Sequence, residues 1–234
     1  WHAFLDRFPT PDACASAPLG DVLREWQGLG YPRRARNLHA TAQQVVALGG
    51  FPGDLDCLLA LPGVGAYTAR AVMAFAFEHD AAVVDTNIAR VYARVTGERL
   101  TARRVQAVAD AALPAGDAWV WNQCLMDLGA LLCRPASPAC DECPLRDRCA
   151  WRGTSTADDP AVGSSGVSGR QARFEGSDRQ ARGRLMKALA GGPVPHGDVP
   201  GVMGRSPELA EALVAALVAE GLCSSTETVV HLPD

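Results

Sequence analysis

The run Pro62-Gly63-Val64-Gly65 constrains this chain more than any other short stretch, because it forces a sharp turn between two segments of helical periodicity. Pro62 cannot continue a helix, and the two glycines reach backbone angles closed to other residues. Upstream, Leu55, Leu58 and Leu59 give a short apolar face; downstream, Ala69, Val72, Met73 and Ala76 recur at helical spacing. Two helices joined in this way form a hairpin whose second helix begins with exposed backbone N–H groups, a site for a phosphate anion. Gly-x-Gly alone also fits an ordinary interhelical turn, so other features must decide.

The surrounding chain reads as helix after helix. Leu19 to Trp26 is followed by Gly28-Leu29-Gly30-Tyr31 and then by a helix through Ala35, Leu38, Ala42, Val45 and Val46. Ala81 to Val84 is a short apolar lead into Asp85-Thr86-Asn87, after which Ile88, Val91, Tyr92 and Val95 form another helical face. Val105 to Leu113 and Trp119 to Leu132 complete the set, and no alternating strand pattern interrupts it. The first residues, Trp1, Phe4, Leu5 and Phe8, already form a helical stripe, so the chain reads as an N-terminally truncated piece of a longer protein. Residues 1–132 are thus expected as one all-α domain.

Residues 133–152 form a cysteine-bearing loop, and residues 153–176 a flexible linker, since 153–169 hold only Gly, Ser, Thr, Ala, Asp, Pro and Val. Order is expected to return with Ser177-Asp178-Arg179-Gln180, at capping-box spacing, ahead of the stripe Leu185, Met186 and Leu189. A second helix starts at Ser206-Pro207 and ends at Gly221. Leu222-Cys223 could pair with Val229 to Leu232 as a hairpin, so 177–234 reads as a small winged-helix-like module.

Four of the eight cysteines fall within seventeen residues as Cys133-x6-Cys140-x2-Cys143-x5-Cys149. Four thiolates this close favour a metal centre over local disulfides. Zinc sites commonly repeat the Cys-x2-Cys spacing, which occurs only once here, so a 4Fe-4S cluster is the better candidate although spacing does not settle it. Cys14, Cys57, Cys124 and Cys223 sit among apolar residues and read as buried free thiols.

Asp85, between an apolar segment and a helix start, could be a plain N-cap. A carboxylate in that place could also stabilise positive charge developing on a nearby sugar, as the oxocarbenium-like state of N-glycosidic cleavage requires, with Asn87 hydrogen-bonding the same site. The formal charge of −4 does not by itself suggest a nucleic-acid partner. Arginines nevertheless cluster at 33–36, at Arg90, Arg94, Arg99, Arg103 and Arg104, and at 146–152, where each group could be a solvated face. Nothing resembles a signal peptide, and no apolar run reaches the roughly 18 residues needed to span a membrane. A cytoplasmic setting is the default.

The hairpin Leu61 to Gly65, the Val83-Val84-Asp85-Thr86-Asn87 segment and the four-cysteine loop together resemble the helix-hairpin-helix DNA glycosylases that carry an iron-sulfur cluster. Trp26 to Tyr31, Arg34 to His39, and Asn122-Gln123-x3-Asp127-Leu128-Gly129-Ala130 further resemble the MutY-type adenine glycosylases. The resemblance covers residues 1 to about 152, and Arg179 to Leu185 looks like the short C-terminal extension of actinobacterial members. It implies a monomeric, nucleoid-associated base excision repair enzyme that hydrolyses the N-glycosidic bond of adenine opposite 8-oxoguanine or guanine in double-stranded DNA.

Asp85 would then be the catalytic aspartate, supported by Asn87. Gly63, Val64 and Gly65 would hold the DNA backbone, commonly with a monovalent cation. Leu29 and Tyr31 would approach the base opposite the lesion. Cys133, Cys140, Cys143 and Cys149 would ligate the 4Fe-4S cluster, in a structural role. Tyr67 stands where bifunctional relatives carry a lysine, which implies a monofunctional hydrolase.

The resemblance has gaps. The family's catalytic glutamate, the acid that protonates adenine, lies in an N-terminal helix absent here, so the chain as given is expected to be weak or inactive. Residues 177–234 are too short for the Nudix-like domain with which many relatives read 8-oxoguanine. Glu208, Glu211 and Glu220 make 206–221 a poor partner for phosphates, which favours a packing or partner-binding role for the module. A thymine or uracil mismatch glycosylase and a non-catalytic iron-sulfur DNA-binding protein remain as alternatives.

Overall fold

The computed structural model describes residues 1–153, 158–167 and 173–234. Its α-helices are α1 (His2–Arg7), α2 (Pro11–Ala15), α3 (Leu19–Glu25), α4 (Pro32–Ala47), α5 (Leu55–Leu59), α6 (Ala66–Phe75), α7 (Thr86–Thr96), α8 (Ala102–Ala112), α9 (Ala118–Asp127), α10 (Asp178–Gly191), α11 (Val199–Met203) and α12 (Pro207–Ala219). Three short strands, β1 (Val194–Pro195), β2 (Ser224–Ser225) and β3 (Val229–His231), are the only ones among the described residues. The mainly helical architecture expected from the periodicity is therefore present. Among the described residues, no helix is long and apolar enough to cross a membrane.

The chain divides into two compact units, one of residues 1–52, 61–63 and 172–234, the other of 53–60 and 64–171. In the first, a single apolar core joins Phe4, Phe8, Val22, Leu23, Ala35 and Ala42 to Leu185, Leu189, Met203, Val214, Leu217 and Val230. The C-terminal helices therefore complete the same core as α1–α4. Three polar links reinforce it: Gln27 Nε2 donates to Met186 O (3.3 Å), Arg36 Nη1 donates to Glu220 O, and Arg182 pairs with Glu220 (2.6 Å). Arg182 holds the Glu220 carboxyl below the usual range.

The expected winged-helix-like elements are there, with a shift. The sheet has the order β1-β3-β2, antiparallel throughout, with Val194 opposite Val230 and Ser225 opposite Val230 on its two sides. Leu222 and Cys223, expected to be paired strand residues, are instead buried just before β2. Apolar residues pointing into a core, without alternation, carry no signal that separates a strand from its approach. Burial lifts the Cys223 thiol pKa to about 11. Cys14 is buried as well, but Cys57 and Cys124 are exposed, contrary to the reading of all four as interior thiols; each lies on the outer side of a helix whose opposite side packs inward.

The second unit is built around α7. Ile88, Ala89, Val91, Tyr92 and Ala93 are buried against Val105 and Ala109 of α8 and Leu125 of α9. After α9 the chain widens into a π-helical turn, Leu128–Leu132, before entering the cysteine loop. Of the segment expected as a flexible linker, 154–157 and 168–172 lie outside the described residues. Residues 158–167 pack onto this unit, with Asp159, Ala161 and Ser164 buried. Its composition is poor in apolar groups, but two polar anchors replace them: Asp159 on Arg94, and Ser164, whose Oγ accepts from Leu100 N at 2.9 Å.

Candidate active site and metal-binding loop

Asp85 is delivered to the start of α7 by the extended segment 81–84. Among the described residues that segment has no strand partner. Side chains take the place of one: Asn122, buried on α9, accepts from Val83 N (2.9 Å) and donates to Ala81 O (2.9 Å). Gln106 and Arg70 both donate to Ala82 O, at 3.1 and 3.4 Å. Buried backbone groups are thereby satisfied without a sheet, as they must be.

At the helix mouth Asp85 Oδ1 accepts from Ile88 N (2.7 Å), while Oδ2 accepts from Asn87 Nδ2 (3.1 Å). The N-cap role read from the sequence is thus real, and it leaves the second oxygen oriented by Asn87. Asn87 is fixed in turn, because its Oδ1 accepts from Arg90 Nη2 at 2.7 Å. Arg90 also donates to Gly129 O (2.6 Å) and Cys133 O (2.7 Å). The π-helical turn accounts for the first of these: Cys133 N bonds Leu128 O and Arg134 N bonds Leu132 O, so Gly129 O is left to the guanidinium. Gly129 packs so close that an added Cβ would lie 2.6 Å from the Asn87 Cβ.

One helical turn on, Arg94 is 2% exposed. It pairs with Asp159 (2.6 Å), donates to Cys133 Sγ (3.3 Å), Arg134 O (2.8 Å) and Pro135 O (3.2 Å), and lies over the Trp151 ring at 4.5 Å. Burial opposes its charge, but the hydrogen bonds with Asp159 and Cys133 outweigh that and raise its pKa. Arg90 and Arg94 are therefore interior braces between α7 and the cysteine loop, which corrects their reading as part of a solvated basic face. Nothing local announced it. The only available signal was their four-residue spacing on a helix that is otherwise apolar on that side.

The loop brings all four of Cys133, Cys140, Cys143 and Cys149 to the wall of one cavity of about 30 Å³, alongside Leu132, Pro138 and Trp151. All four are free thiols. Burial raises the Cys133 pKa, with Arg94 pulling it the other way. The wall is close-fitting: a Cβ on Gly153 would meet Cys140 Sγ at 2.8 Å. Among the described residues, no group of three or more His, Cys, Asp or Glu side chains is placed to hold a metal ion. The four soft donors that line this one pocket are the residues that would hold a metal cluster, were one bound there.

The hairpin turn is also as the sequence suggests. Gly63 adopts φ +72°, and a Cβ there would run into Asn37. Thr41 Oγ1 donates to Pro62 O at 2.8 Å. Gly65 is the N-cap of α6 and supplies no side chain, so the first amides of that helix have no capping oxygen. Tyr67 stands in that first turn, half exposed. In the first unit, Leu29 and Tyr31 are exposed on the 28–31 loop, where Gly28, Gly30 and Tyr31 all have positive φ. Tyr31 pays for this with backbone strain that glycine would not incur.

Residues 1–108 match the HhH-GPD superfamily of base excision DNA repair proteins. The adenine DNA glycosylase of Mycolicibacterium smegmatis is 39% identical over 236 residues, covering 97% of this chain and 78% of that protein. The adenine DNA glycosylase of Mycobacterium tuberculosis is 41% identical over 203 residues, covering 83% of this chain and 65% of that protein. A solved thermostable thymine-DNA glycosylase superposes with a TM-score of 0.61 at 30% identity, covering 64% of this chain and 72% of that one. The chain belongs to the HhH-GPD superfamily and, within it, to the adenine DNA glycosylases, hydrolases of N-glycosyl bonds in base excision repair.

Proposed function

We propose that this protein excises adenine paired with 8-oxoguanine or guanine in duplex DNA, as a monofunctional and monomeric glycosylase of the cytoplasm, associated with the nucleoid. The observation that carries the reading is Asp85, a helix-mouth carboxylate whose two oxygens both accept hydrogen bonds and whose side chain stays partly exposed. Both oxygens are held in place as acceptors. Beside the sugar of a flipped adenine the carboxylate would stabilise the positive charge that grows as the bond to the base lengthens. Asn87 holds its Oδ2 in place, and Arg90 holds Asn87. Water then completes the hydrolysis, its hydroxyl bonding to the sugar carbon and its proton going to the departing adenine. At Tyr67 there is no amine to form a Schiff base, so strand cleavage does not follow base release.

The remaining roles are proposed on the resemblance together with the geometry. Gly63, Val64 and Gly65 offer backbone amides to a DNA phosphate, with a monovalent cation on the hairpin carbonyls. Leu29 and Tyr31 approach the base opposite adenine. Cys133, Cys140, Cys143 and Cys149 hold a 4Fe-4S cluster, which when bound fixes the shape of its arginine-bearing loop.

Single-turnover assays with the full-length protein on duplexes carrying adenine opposite 8-oxoguanine, adenine opposite guanine, and thymine opposite guanine test the proposal. Adenine release that disappears in Asp85→Asn, with duplex binding kept, is the expected result. Thymine release would move the substrate toward that of the solved thymine-DNA glycosylase; binding without any release would leave a DNA-binding protein.

A further inference from the structure

The C-terminal helices differ in charge. α12 carries Glu208 and Glu211 on its exposed side and no basic residue, whereas α10 carries Arg179, Arg182, Arg184 and Lys187 against Asp178 alone. Asp178 is engaged by Arg205 (3.1 Å) and Arg182 by Glu220. Arg184 and Lys187 are exposed, and neither has a carboxylate within ion-pair distance among the described residues. Three residues apart on one helix, they lie on one face.

That face borders a cleft of about 400 Å³, with Arg184 and Lys187 on one side, Trp26, Gly28 and Gly30 on the other, and Phe174 at its margin. The glycine side is rigid. Trp26 Nε1 donates to Gly30 O (2.9 Å), and Gln27 Nε2 ties the loop to α10 through Met186 O. It is also bare: a Cβ built on Gly28 or Gly30 would meet nothing within 4 Å, so open space lies over the backbone there. Two uncompensated cations facing an exposed, side-chain-free stretch of backbone suit a phosphate ester whose sugar must come close. An apolar ligand would waste both charges.

We infer that this cleft is a subsite for the sugar-phosphate backbone of duplex DNA, in which Arg184 and Lys187 neutralise phosphate and the Gly28–Gly30 backbone admits the adjoining sugar. The inference rests on the proposed glycosylase activity and extends it: the C-terminal segment meets DNA through α10, while the acidic α12 faces away from that role. The backbone of the 8-oxoguanine strand would then be gripped next to the exposed Leu29 and Tyr31.

The test is fluorescence anisotropy with the full-length protein and a duplex carrying adenine opposite 8-oxoguanine, titrated between about 50 and 200 mM salt. Each phosphate contact contributes about 0.9 to the slope of log affinity against log salt, so Arg184→Gln/Lys187→Gln should flatten the slope by about 1.8. The affinity advantage of the wild type then shrinks about 12-fold across that salt range. The control is Arg7→Gln/Arg24→Gln, which removes two exposed charges that both pair with Asp21 and should leave the slope alone.

A cleft variant with the wild-type slope overturns the inference, as does an equal loss in the control. So does a cleft variant that loses binding of a glutamate-rich peptide and keeps its DNA slope, which would make the cleft a docking site for acidic protein. Base release is read on the same samples. A wild type that binds steeply yet releases no adenine sinks the glycosylase proposal while the slope comparison still decides the cleft; a wild type that releases adenine alongside an unchanged cleft variant sinks the cleft alone.

Discussion

Replacing Asp159 should damage the second unit far more than its position in a Gly- and Ser-rich stretch suggests. Its carboxylate receives Arg94 Nη2 at 2.6 Å and Arg94 Nε at 3.1 Å, and the two side chains are 8% and 2% exposed. In Asp159→Asn the guanidinium stays buried, with backbone carbonyls, Cys133 Sγ and the Trp151 ring around it but no counter-charge. Breaking one side of a buried pair costs about 3–5 kcal/mol. In Arg94→Met/Asp159→Leu both charges are gone, and the loss should be smaller than in either single variant. Native-state hydrogen exchange of the α7 amides reads the second unit without assuming that the whole chain unfolds in one step.

The pH dependence has a definite sign. Burial would raise the Asp159 pKa, but hydrogen bonds from Arg94 and from Ala161 N win, and the group sits below the usual carboxylate range. Its contribution is complete above the unfolded-state value of about 3.9 and fades as pH falls toward the folded value, so wild type and Asp159→Asn should converge below about pH 4. A change of less than about 0.5 kcal/mol near neutrality, the level of an ordinary surface substitution, would refute the reasoning.

Gly129→Ala drives a Cβ to within 2.6 Å of the Asn87 Cβ, so the excision rate should fall more than duplex affinity does, a split that single-turnover kinetics and anisotropy measure separately. Asn122→Ala removes the partners of Val83 N and Ala81 O, and at about 1–3 kcal/mol per buried group left unpaired it should lower stability by several kcal/mol in a denaturant titration. Cys140→Ser should abolish the broad visible absorption and most of the iron of the purified protein; a colourless wild type containing zinc would contradict the cluster assignment. Brief alkylation of the native protein at pH 8 should modify Cys57 and Cys124 before Cys14 and Cys223, with mass spectrometry identifying the sites, because Cys223 is both buried and raised to about 11.

The features legible in the sequence are those written in consecutive residues. Pro62 to Gly65 specifies its turn whatever surrounds it, Asp85 precedes its helix as a capping residue does, and four thiols within one loop can converge without help from elsewhere. What the sequence does not display depends on partners far along the chain. Arg94 and Asp159 are 65 positions apart, and Arg90 and Cys133 are 43 apart. A basic residue on a helix looks the same in sequence whether water or a carbonyl awaits it. The C-terminal module was recognised by its caps and stripes, yet the same stripes could not say that Leu185 and Met203 would bury against Phe8 and Val22. Asn122 reads in the sequence only as part of a motif; that its amide stands in for a neighbouring strand emerges only in three dimensions.

The division of the first unit into 1–52 and 172–234 has a consequence for synthesis on the ribosome. When α1–α4 emerge, the residues that will cover Phe8, Val22 and Ala35 have not yet been made, and more than a hundred residues separate the two halves. The second unit, apart from short excursions at 61–63, is contiguous and able to fold first. Closing the first core afterwards requires a long-range search, the kind of contact that slows folding. Until α12 leaves the exit tunnel, α1–α4 form an amphipathic stretch with its apolar face in water, and its protection by chaperones should end only once α12 has emerged.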